Sequence, residues 1–335
     1  MLYVPVISKT GKPLMPCHPA RARELVHKGK AVRRFRRGLF YIQLTEREDG
    51  DIQPVAVGID PGSKKEAFTI KSKYHTYLNI QTDAITWVKD AIKIRRYMRR
   101  ARRFRNTPYR ASRLNRKQGN LSPSTRARWD WKLRICKWLS RLYPIETFVV
   151  EDIAAITKQG KRRWNGSFSP LEIGKRWFYA ELEKLAPVLL KQGYETQALR
   201  QACGLWKSNQ KMAEKWEAHC VDSWVLANWY TGGHTEPDNK TLFIISPIQL
   251  HRRQLHKFKT EKGGIRRLYG GTRSLGFKRG SLVKHPRYGV VYVGGTSKNR
   301  ISVHSLKDGK RLYQKVKPED CIFLAYNMWK IHLVS

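Results

Sequence analysis

One short apolar run stands at the centre of the hydrophobic pattern of this chain. Residues 55–60 are Val-Ala-Val-Gly-Ile-Asp, and Pro61-Gly62 follows at once. An apolar run bounded by a turn predicts a buried strand, with Asp60 at its last position. A carboxylate in that place is costly unless it is paired or binds a cation. A solvated turn aspartate fits the same run equally well.

Alternating and helical spacing predict the other elements. Strands are predicted at 2–7, 31–35, 39–44, 66–71, 74–81, 146–150 and 194–199, and in a β-rich C-terminal part at 241–245, 281–284, 289–293, 300–305 and 311–316. Helices are predicted at 19–28, from 82 onward, at 125–142 with a Ser124 cap, at 172–191 and at 211–230. A turn is predicted at 12–16, a basic loop at 158–170 and a basic connecting segment at 251–278. The strands between 55 and 81 predict an antiparallel meander.

Further acidic residues follow Asp60 at the end of a predicted strand and on a predicted helix. Glu151 follows directly after the strand predicted at 146–150. His219 and Asp222 lie three residues apart on one face of a predicted helix. Carboxylates gathered in this way can hold two divalent cations about 4 Å apart for phosphodiester hydrolysis. Oxygen ligands suit Mg²⁺, with Mn²⁺ as a substitute, and His219 can orient or deprotonate the attacking water. Taken singly, Glu151 and Asp222 are more typical of surface acids, and a lone helical histidine is usually structural.

The charge of the chain points to a polyanionic partner. The formal net charge is +41, from 67 Lys+Arg against 26 Asp+Glu. No carboxylate lies between Asp90 and Asp130, so the arginine-rich stretch 93–105 lacks acidic partners on its own helix. Nucleic-acid phosphates fit this imbalance, and a disordered basic arm is the alternative. The candidate RNA-binding residues are Arg33, Arg34, Arg36, Arg37, Arg95, Arg96, Arg99, Arg100, Arg102 and Arg103.

Other classes of protein fit poorly. No apolar run approaches the roughly 20 residues of a spanning helix, and residues 1–5 do not resemble a signal peptide. Five scattered cysteines without a Cys-x-x-Cys pair argue against a disulfide framework or a zinc ribbon. We therefore expect a folded cytoplasmic protein in a reducing setting, with no membrane partner.

The order of these segments resembles a known family. Residues 58–63, 149–152 and 219–223 resemble the three motifs of the RuvC branch of the RNase H-like fold. Pro13-Leu14-Met15-Pro16 and Arg33-Arg34-Phe35-Arg36-Arg37 resemble the N-terminal signatures of the IscB and IsrB proteins. The arginine-rich helix is similar to their bridge helix, and the C-terminal β module to their domain that interacts with a target-adjacent motif.

The absence of an HNH nuclease domain distinguishes this chain from IscB. IscB carries an HNH nuclease domain between the second and third RuvC motifs, whereas residues 152–218 of this chain number only 67 and include no histidine. The resemblance is therefore to IsrB, the HNH-lacking member of these OMEGA systems.

The resemblance implies a fold and an activity. It implies an α/β RNase H-like (RuvC) core split by an arginine-rich bridge helix at about 86–117. The expected domains are a PLMP (RRXRR) domain at 1–53, the split RuvC domain at 54–230 and a basic segment with a β-barrel-like module at 231–335. The implied activity is Mg²⁺-dependent nicking of the non-target DNA strand, guided by a long structured noncoding RNA. Asp60, Glu151 and Asp222 would be the metal ligands, and His219 would join them in catalysis.

Two other functions remain open on the sequence. One is a guide-independent RuvC-type junction nuclease, and the other is a non-catalytic RNA-binding protein with a RuvC-like fold. The implied assembly is a monomeric ribonucleoprotein of prokaryotic, transposon-associated origin that joins the nucleoid when it is on DNA.

Overall fold

The chain folds into two compact units. The computed structural model describes residues 3–105, 121–154, 169–247, 273–326 and 329–334. The first unit contains the chain before Arg33 and Ile42–Phe243, and the second contains Arg33–Tyr41 and Ile244–Leu333.

Strands outnumber helices in the described ranges. The strands are β1 Val4–Ile7, β2 Pro13–Cys17, β3 Ala31–Arg36, β4 Leu39–Leu44, β5 Val55–Asp60, β6 Lys65–Ser72, β7 Thr76–Asp83, β8 Thr147–Asp152, β9 Val188–Gln192, β10 Leu242–Pro247, β11 Arg273–Ser274, β12 Phe277–Lys278, β13 Ser281–His285, β14 Gly289–Ser297, β15 Arg300–His304, β16 Arg311–Val316, β17 Ile322–Tyr326 and β18 Trp329–Val334. The helices are α1 Pro19–His27, α2 Trp87–Phe104, α3 Pro123–Leu139, α4 Pro170–Glu183, α5 Gly193–Ala202 and α6 Trp216–Thr231. Within these ranges, no helix combines the length and apolar character needed to cross a membrane.

A mixed sheet forms the centre of the first unit. Its strands run in the order β7-β6-β5-β8-β9. The meander β5-β6-β7 is antiparallel, as the sequence predicts, and β8 and β9 continue from β5 in parallel. Every residue of β5 is buried, because the strand lies in the middle of the sheet. This order and these directions define an RNase H-like core.

Helices cover the two faces of this sheet, and β6 shows which face each one takes. Thr69 and Lys71 face α6, where the Thr69 hydroxyl bonds the Ser223 hydroxyl at 2.8 Å and the Lys71 ammonium donates to the Gly232 carbonyl at 2.9 Å. Glu66 faces the other way and pairs with Lys132 of α3 at 2.6 Å. Since side chains alternate along a strand, α3 and α6 lie on opposite faces.

Helix α6 approaches the sheet very closely. A Cβ atom on Gly58 of β5 would lie 1.8 Å from the Ser223 carbonyl oxygen and 2.9 Å from the Ala227 nitrogen. Both are backbone atoms and cannot rotate aside. The sequence predicts an amphipathic helix here, but eleven residues from Trp216 to Ala227 are buried because α6 packs on β5, β6 and β8.

The segment 12–16 was predicted to be a turn, and this prediction is wrong. Residues Pro13–Cys17 form β2, which pairs with β1 in antiparallel fashion. β2 lies at the edge of its sheet, where a proline without an N–H group leaves no ladder bond unmade. The helix predicted at 19–28 is confirmed as α1, and Gly29 follows it with a φ of +68°.

Two predicted helices between 122 and 192 have wrong boundaries. Helix α3 begins after Ser122 rather than Ser124, because Pro123 takes its first position. The helix predicted at 172–191 ends at Glu183, and its last part is strand β9, which pairs in parallel with β8.

The strand predicted at 194–199 is helix α5 instead. The side chains of Gln192 and Glu195 form a capping box that starts a helix at this point. The basic loop predicted at 158–170 lies mostly outside the described residues, as do residues 251–272 of the connecting segment and the part of the bridge helix beyond Arg105.

The second unit contains a five-stranded antiparallel sheet in the order β16-β15-β14-β13-β17. Strands β13 to β16 were predicted, whereas β17 and β18 were not. Its core is made of small aliphatic side chains and one cysteine, namely Val283, Val291, Val293, Ile301, Val303, Val316 and Cys321. The hairpin tip Arg33–Tyr41 belongs to this unit, and there the Trp329 indole donates to the Arg37 carbonyl at 3.2 Å.

Gly58→Ala should destabilise the protein by at least about 2 kcal/mol, since the methyl group would press on backbone that cannot move without separating α6 from β5. Chemical denaturation measures this loss. Gly295→Ala is the control, because a Cβ there meets nothing within 4 Å and is expected to leave stability nearly unchanged. Equal stability of Gly58→Ala and the parent would contradict the close packing described here.

Candidate metal centre

Three carboxylates that are far apart in sequence meet at one place. Asp60 ends β5, Glu151 lies near the end of the adjacent parallel strand β8, and Asp222 projects from α6. One oxygen from each lies within 4.8 Å of the others. The parallel pairing of β5 and β8 brings the first two together, and the packing of α6 adds the third.

The cluster is poorly hydrated, and this makes its negative charge costly. Asp60 is 6% exposed and Asp222 is 1% exposed. Burial, together with the neighbouring charges of Asp60 and Asp222, raises the pKa of Glu151 to about 7. Like charges held this closely share protons or attract cations.

His219 holds Asp60 in place. Its Nδ1 lies 3.2 Å from Asp60 Oδ2, and its Nε2 lies 2.9 Å from the Lys211 carbonyl oxygen. The Lys211 carbonyl oxygen can only accept, so Nε2 carries a proton and donates it to this hydrogen bond. Burial opposes the positive charge, but the hydrogen bonds to Asp60 and Lys211 outweigh it and raise the pKa of His219. In this arrangement the imidazole positions Asp60, and it has no free nitrogen to accept a proton from water.

Two cations on Asp222 were not foreseen from the sequence. Arg200 of α5 donates to Asp222 Oδ1, and Lys207, in the segment before α6, donates to Asp222 Oδ2. Neither residue belongs to a recognisable motif, and a lysine between Trp206 and Ser208 carries no spacing signal. Only the folded arrangement of α5 and α6 reveals them.

Asp152 lies beside Glu151 in sequence but outside the cluster. Its carboxylate accepts from Tyr179 at 2.9 Å and from Gln192 at 3.1 Å, and it pairs with Lys175 at 2.8 Å. Burial alone would raise the pKa of Asp152, but these three donors lower it. Successive residues of a strand point to opposite faces, so Asp152 stabilises the fold on the other side.

The residues of the cluster fit a divalent cation of the Mg²⁺ type. Three carboxylates offer hard oxygen ligands at a spacing that one ion can bridge. The Lys207 ammonium already lies against this group, which shows that the cluster attracts positive charge.

The predicted RNA-binding arginines do not join this centre. Arg95, Arg96, Arg99, Arg100, Arg102 and Arg103 are all exposed on α2, a helix without a single buried residue. Arg33 and Arg34 are exposed on β3 of the second unit, and Arg36 and Arg37 are partly buried there. The predicted roles of all these residues stay predictions.

Comparison with known proteins gives one family match and several solved structures. The family model described as "RRXRR protein" matches residues 4–166. This range includes Arg33-Arg34-Phe35-Arg36-Arg37, which supports that part of the sequence resemblance, while the assignment to IsrB stays a prediction. None of the curated proteins matches the chain.

Two of the solved structures that match come from work on Holliday junctions. RuvC of T. thermophilus, in complex with a Holliday junction substrate, is 12% identical over 54% of this chain and 97% of its own, with a TM-score of 0.29. The yeast mitochondrial resolvase Ydc2 is 13% identical over 55% of this chain and 80% of its own, with a TM-score of 0.27. The assignment of the RNase H-like core rests on the strand order and directions described above.

Glu151→Gln should stabilise the metal-free protein at pH 8 by about 1–2 kcal/mol, because it removes one of three crowded charges. The pKa of Glu151 is raised from 4.5 to about 7 on folding, so the folded state binds the extra proton. The parent should therefore lose stability as the pH rises from 4.5 to 7, and the variant should lose less.

Melting temperatures across this pH range, with and without Mn²⁺, measure both effects. Mn²⁺ should raise the melting temperature of the parent more than that of the variant. Glu146→Gln, an exposed site just before the same strand, should behave like the parent. A Glu151→Gln protein that is less stable than the parent at pH 8 would contradict charge crowding.

Proposed function

We propose that this protein is an RNA-guided DNA endonuclease that nicks one strand of double-stranded DNA. The observation that carries the proposal is the convergence of Asp60, Glu151 and Asp222 on an RNase H-like sheet, with oxygens within 4.8 Å. Two of these carboxylates are buried and Glu151 is half-buried, so the group is costly to maintain unless it binds cations such as those that phosphodiester hydrolysis requires.

The residues of the cluster have separate tasks in this proposal. Two bound Mg²⁺ ions would supply an activated water and stabilise the leaving oxygen of the scissile phosphodiester. Asp60, Glu151 and Asp222 would hold the metal ions, and the imidazole of His219 fixes the orientation of Asp60. Burial of Asp60 and Asp222 keeps bulk water from competing for the carboxylate oxygens.

Helix α2, which lies next to the nuclease strands in the sequence, supports the proposal that the protein binds a nucleic acid. The helix follows β7 directly, carries six of the candidate arginines and buries none of its side chains. A guanidinium suits phosphate because it donates two parallel hydrogen bonds. The RRXRR match and the resemblance to IsrB favour a long noncoding RNA as this partner. Guide pairing would then select the target, with the protein reading only a short flanking motif.

The segment between the second and third RuvC motifs favours a nick over a double-strand break. Residues 152–218 include no histidine, so the place where IscB carries its HNH domain cannot supply that metal site. One nuclease centre cuts one strand, and here this would be the displaced, non-target strand. The working form would be a monomeric ribonucleoprotein in the cytoplasm that associates with the nucleoid on DNA.

Asp60→Ala, Glu151→Ala and Asp222→Ala should each lower nicking by about a thousand-fold or more, because each removes a metal ligand. The assay follows supercoiled target plasmid with the co-purified RNA and Mg²⁺, and open-circular DNA without linear DNA is expected. Glu146→Ala is the surface control.

Two outcomes would overturn the proposal in different ways. Cleavage of four-way junctions without RNA would identify a guide-independent junction nuclease. RNA binding without Mg²⁺-dependent cleavage of any DNA would identify a non-catalytic RNA-binding protein.

Replacing Arg95, Arg96 and Arg99 by glutamine should weaken RNA binding and leave the melting temperature unchanged, because these side chains are exposed. The slope of log K against log salt concentration should fall by about 0.7 for each lost phosphate contact. Filter binding at several salt concentrations measures this slope. The control replaces Arg23, Lys137 and Lys184, three exposed cations outside α2. An equal loss in the control would mean that net charge, and not α2, governs RNA binding.

A further inference from the structure

Both carboxylate oxygens of Asp222 are held by cations that the proposed chemistry does not use. Arg200 binds Oδ1 and Lys207 binds Oδ2, while the Asp222 side chain is 2% exposed. A metal ion that binds Asp222 must therefore displace one of these cations or share an oxygen with it.

Lys207 faces the whole cluster. Its ammonium interacts electrostatically with Asp60, Asp222 and Glu151, the same three residues that could hold the metal. It therefore lies where a divalent cation would compensate the same charge. The ion pair of Arg200 is with Asp222, and its guanidinium approaches from α5.

Cationic side chains of the protein already compensate negative charge in this cluster. The Arg200 guanidinium and the Lys207 ammonium both pair with the Asp222 carboxylate. A divalent cation would add two positive charges beside them, so repulsion between it and the nearest ammonium would oppose binding. The least costly response is for one cation to leave.

Lys207 is the cation best able to leave. It lies between α5 and α6 in a segment without helix or strand, and its side chain is 29% exposed, against 17% for Arg200. A lysine has a flexible stem and an ammonium that water solvates well, so it can move to solvent at little cost. Arg200 is anchored on a helix and can stay on Asp222.

We propose that Lys207 is an internal counter-ion of the metal centre, which neutralises the carboxylates in the metal-free protein and swings out to solvent when a divalent cation binds. This inference rests on the proposed function in so far as both place the cation among Asp60, Glu151 and Asp222. It adds that Lys207 sets the metal affinity and that metal binding moves the Lys207 side chain.

Mn²⁺ binding to the full-length chain, freed of nucleic acid, tests the competition directly. Lys207→Met keeps the length and apolar stem of the side chain but removes the charge. It should bind Mn²⁺ about ten-fold more tightly than the parent or better, because the competing ammonium is gone. Lys215→Met, at an exposed lysine in the same segment, should stay within about two-fold of the parent. Calorimetry gives the constants, and Asp60→Asn in the Lys207→Met background assigns the binding to this cluster by weakening it.

Lysine reactivity tests the movement on the unaltered protein. Saturating Mg²⁺ should increase the rate of Lys207 acetylation, followed by mass spectrometry, by about ten-fold, because the ammonium passes from an ion pair to solvent. The rate at Lys215 should not change. This measurement remains decisive if Lys207→Met folds poorly.

The inference fails if Lys207→Met binds Mn²⁺ as the parent does or more weakly, or if Mg²⁺ leaves the reactivity of Lys207 unchanged or lowers it. It also fails if neither the parent nor Lys207→Met shows Mn²⁺ binding that depends on Asp60. The proposed function fails separately, when the metal exchanges with Lys207 as described but the protein with its RNA nicks no DNA.

Discussion

The close contact between β5 and α6 is the constraint on which the site depends. Gly58 has no side chain, so the Ser223 carbonyl can lie where a Cβ would otherwise be, at 1.8 Å. The hydroxyls of Thr69 and Ser223 meet at 2.8 Å and fix the position of the helix along the sheet. At this separation His219 and Asp222 reach Asp60, whereas a larger side chain at position 58 would move both away. Packing at one glycine thus determines whether a set of carboxylates becomes a site.

The electrostatic cost of keeping carboxylates close together is a second constraint on the site. Buried carboxylates repel one another, and a protein keeps them together only with compensating charge. Here the compensation comes from His219 on Asp60 and from Arg200 and Lys207 on Asp222, and Glu151 takes up a proton more readily than usual. The cluster is therefore assembled before any metal arrives. Metal binding at this cluster would therefore be an exchange of cations and protons.

The sequence predicted the central elements well, because local pattern and burial agree there. The run that ends in Asp60 is apolar throughout, and the meander of β5, β6 and β7 is continuous in the chain. The predictions failed where tertiary context decides between states. Pro13–Cys17 is a strand because an edge tolerates proline, and Gln192 with Glu195 starts a helix where the apolar residues alone suggested a strand. The strands β17 and β18 carry no alternation strong enough to detect.

Some properties of the site follow from the sequence alone, and others follow only from the tertiary structure. The sequence by itself determined which acids could meet, since Asp60 and Glu151 end apolar strands and His219 and Asp222 share a helix face. It also predicted a polyanionic partner, since net charge needs no fold to be counted. Only the tertiary structure decided that three oxygens lie within 4.8 Å, that Asp152 turns away, and that Arg200 and Lys207 hold Asp222. The physical reason is that an electrostatic interaction depends on the distance between the charges and on their burial. For residues as far apart in sequence as Asp60 and Asp222, both are set only when the helices pack on the sheet.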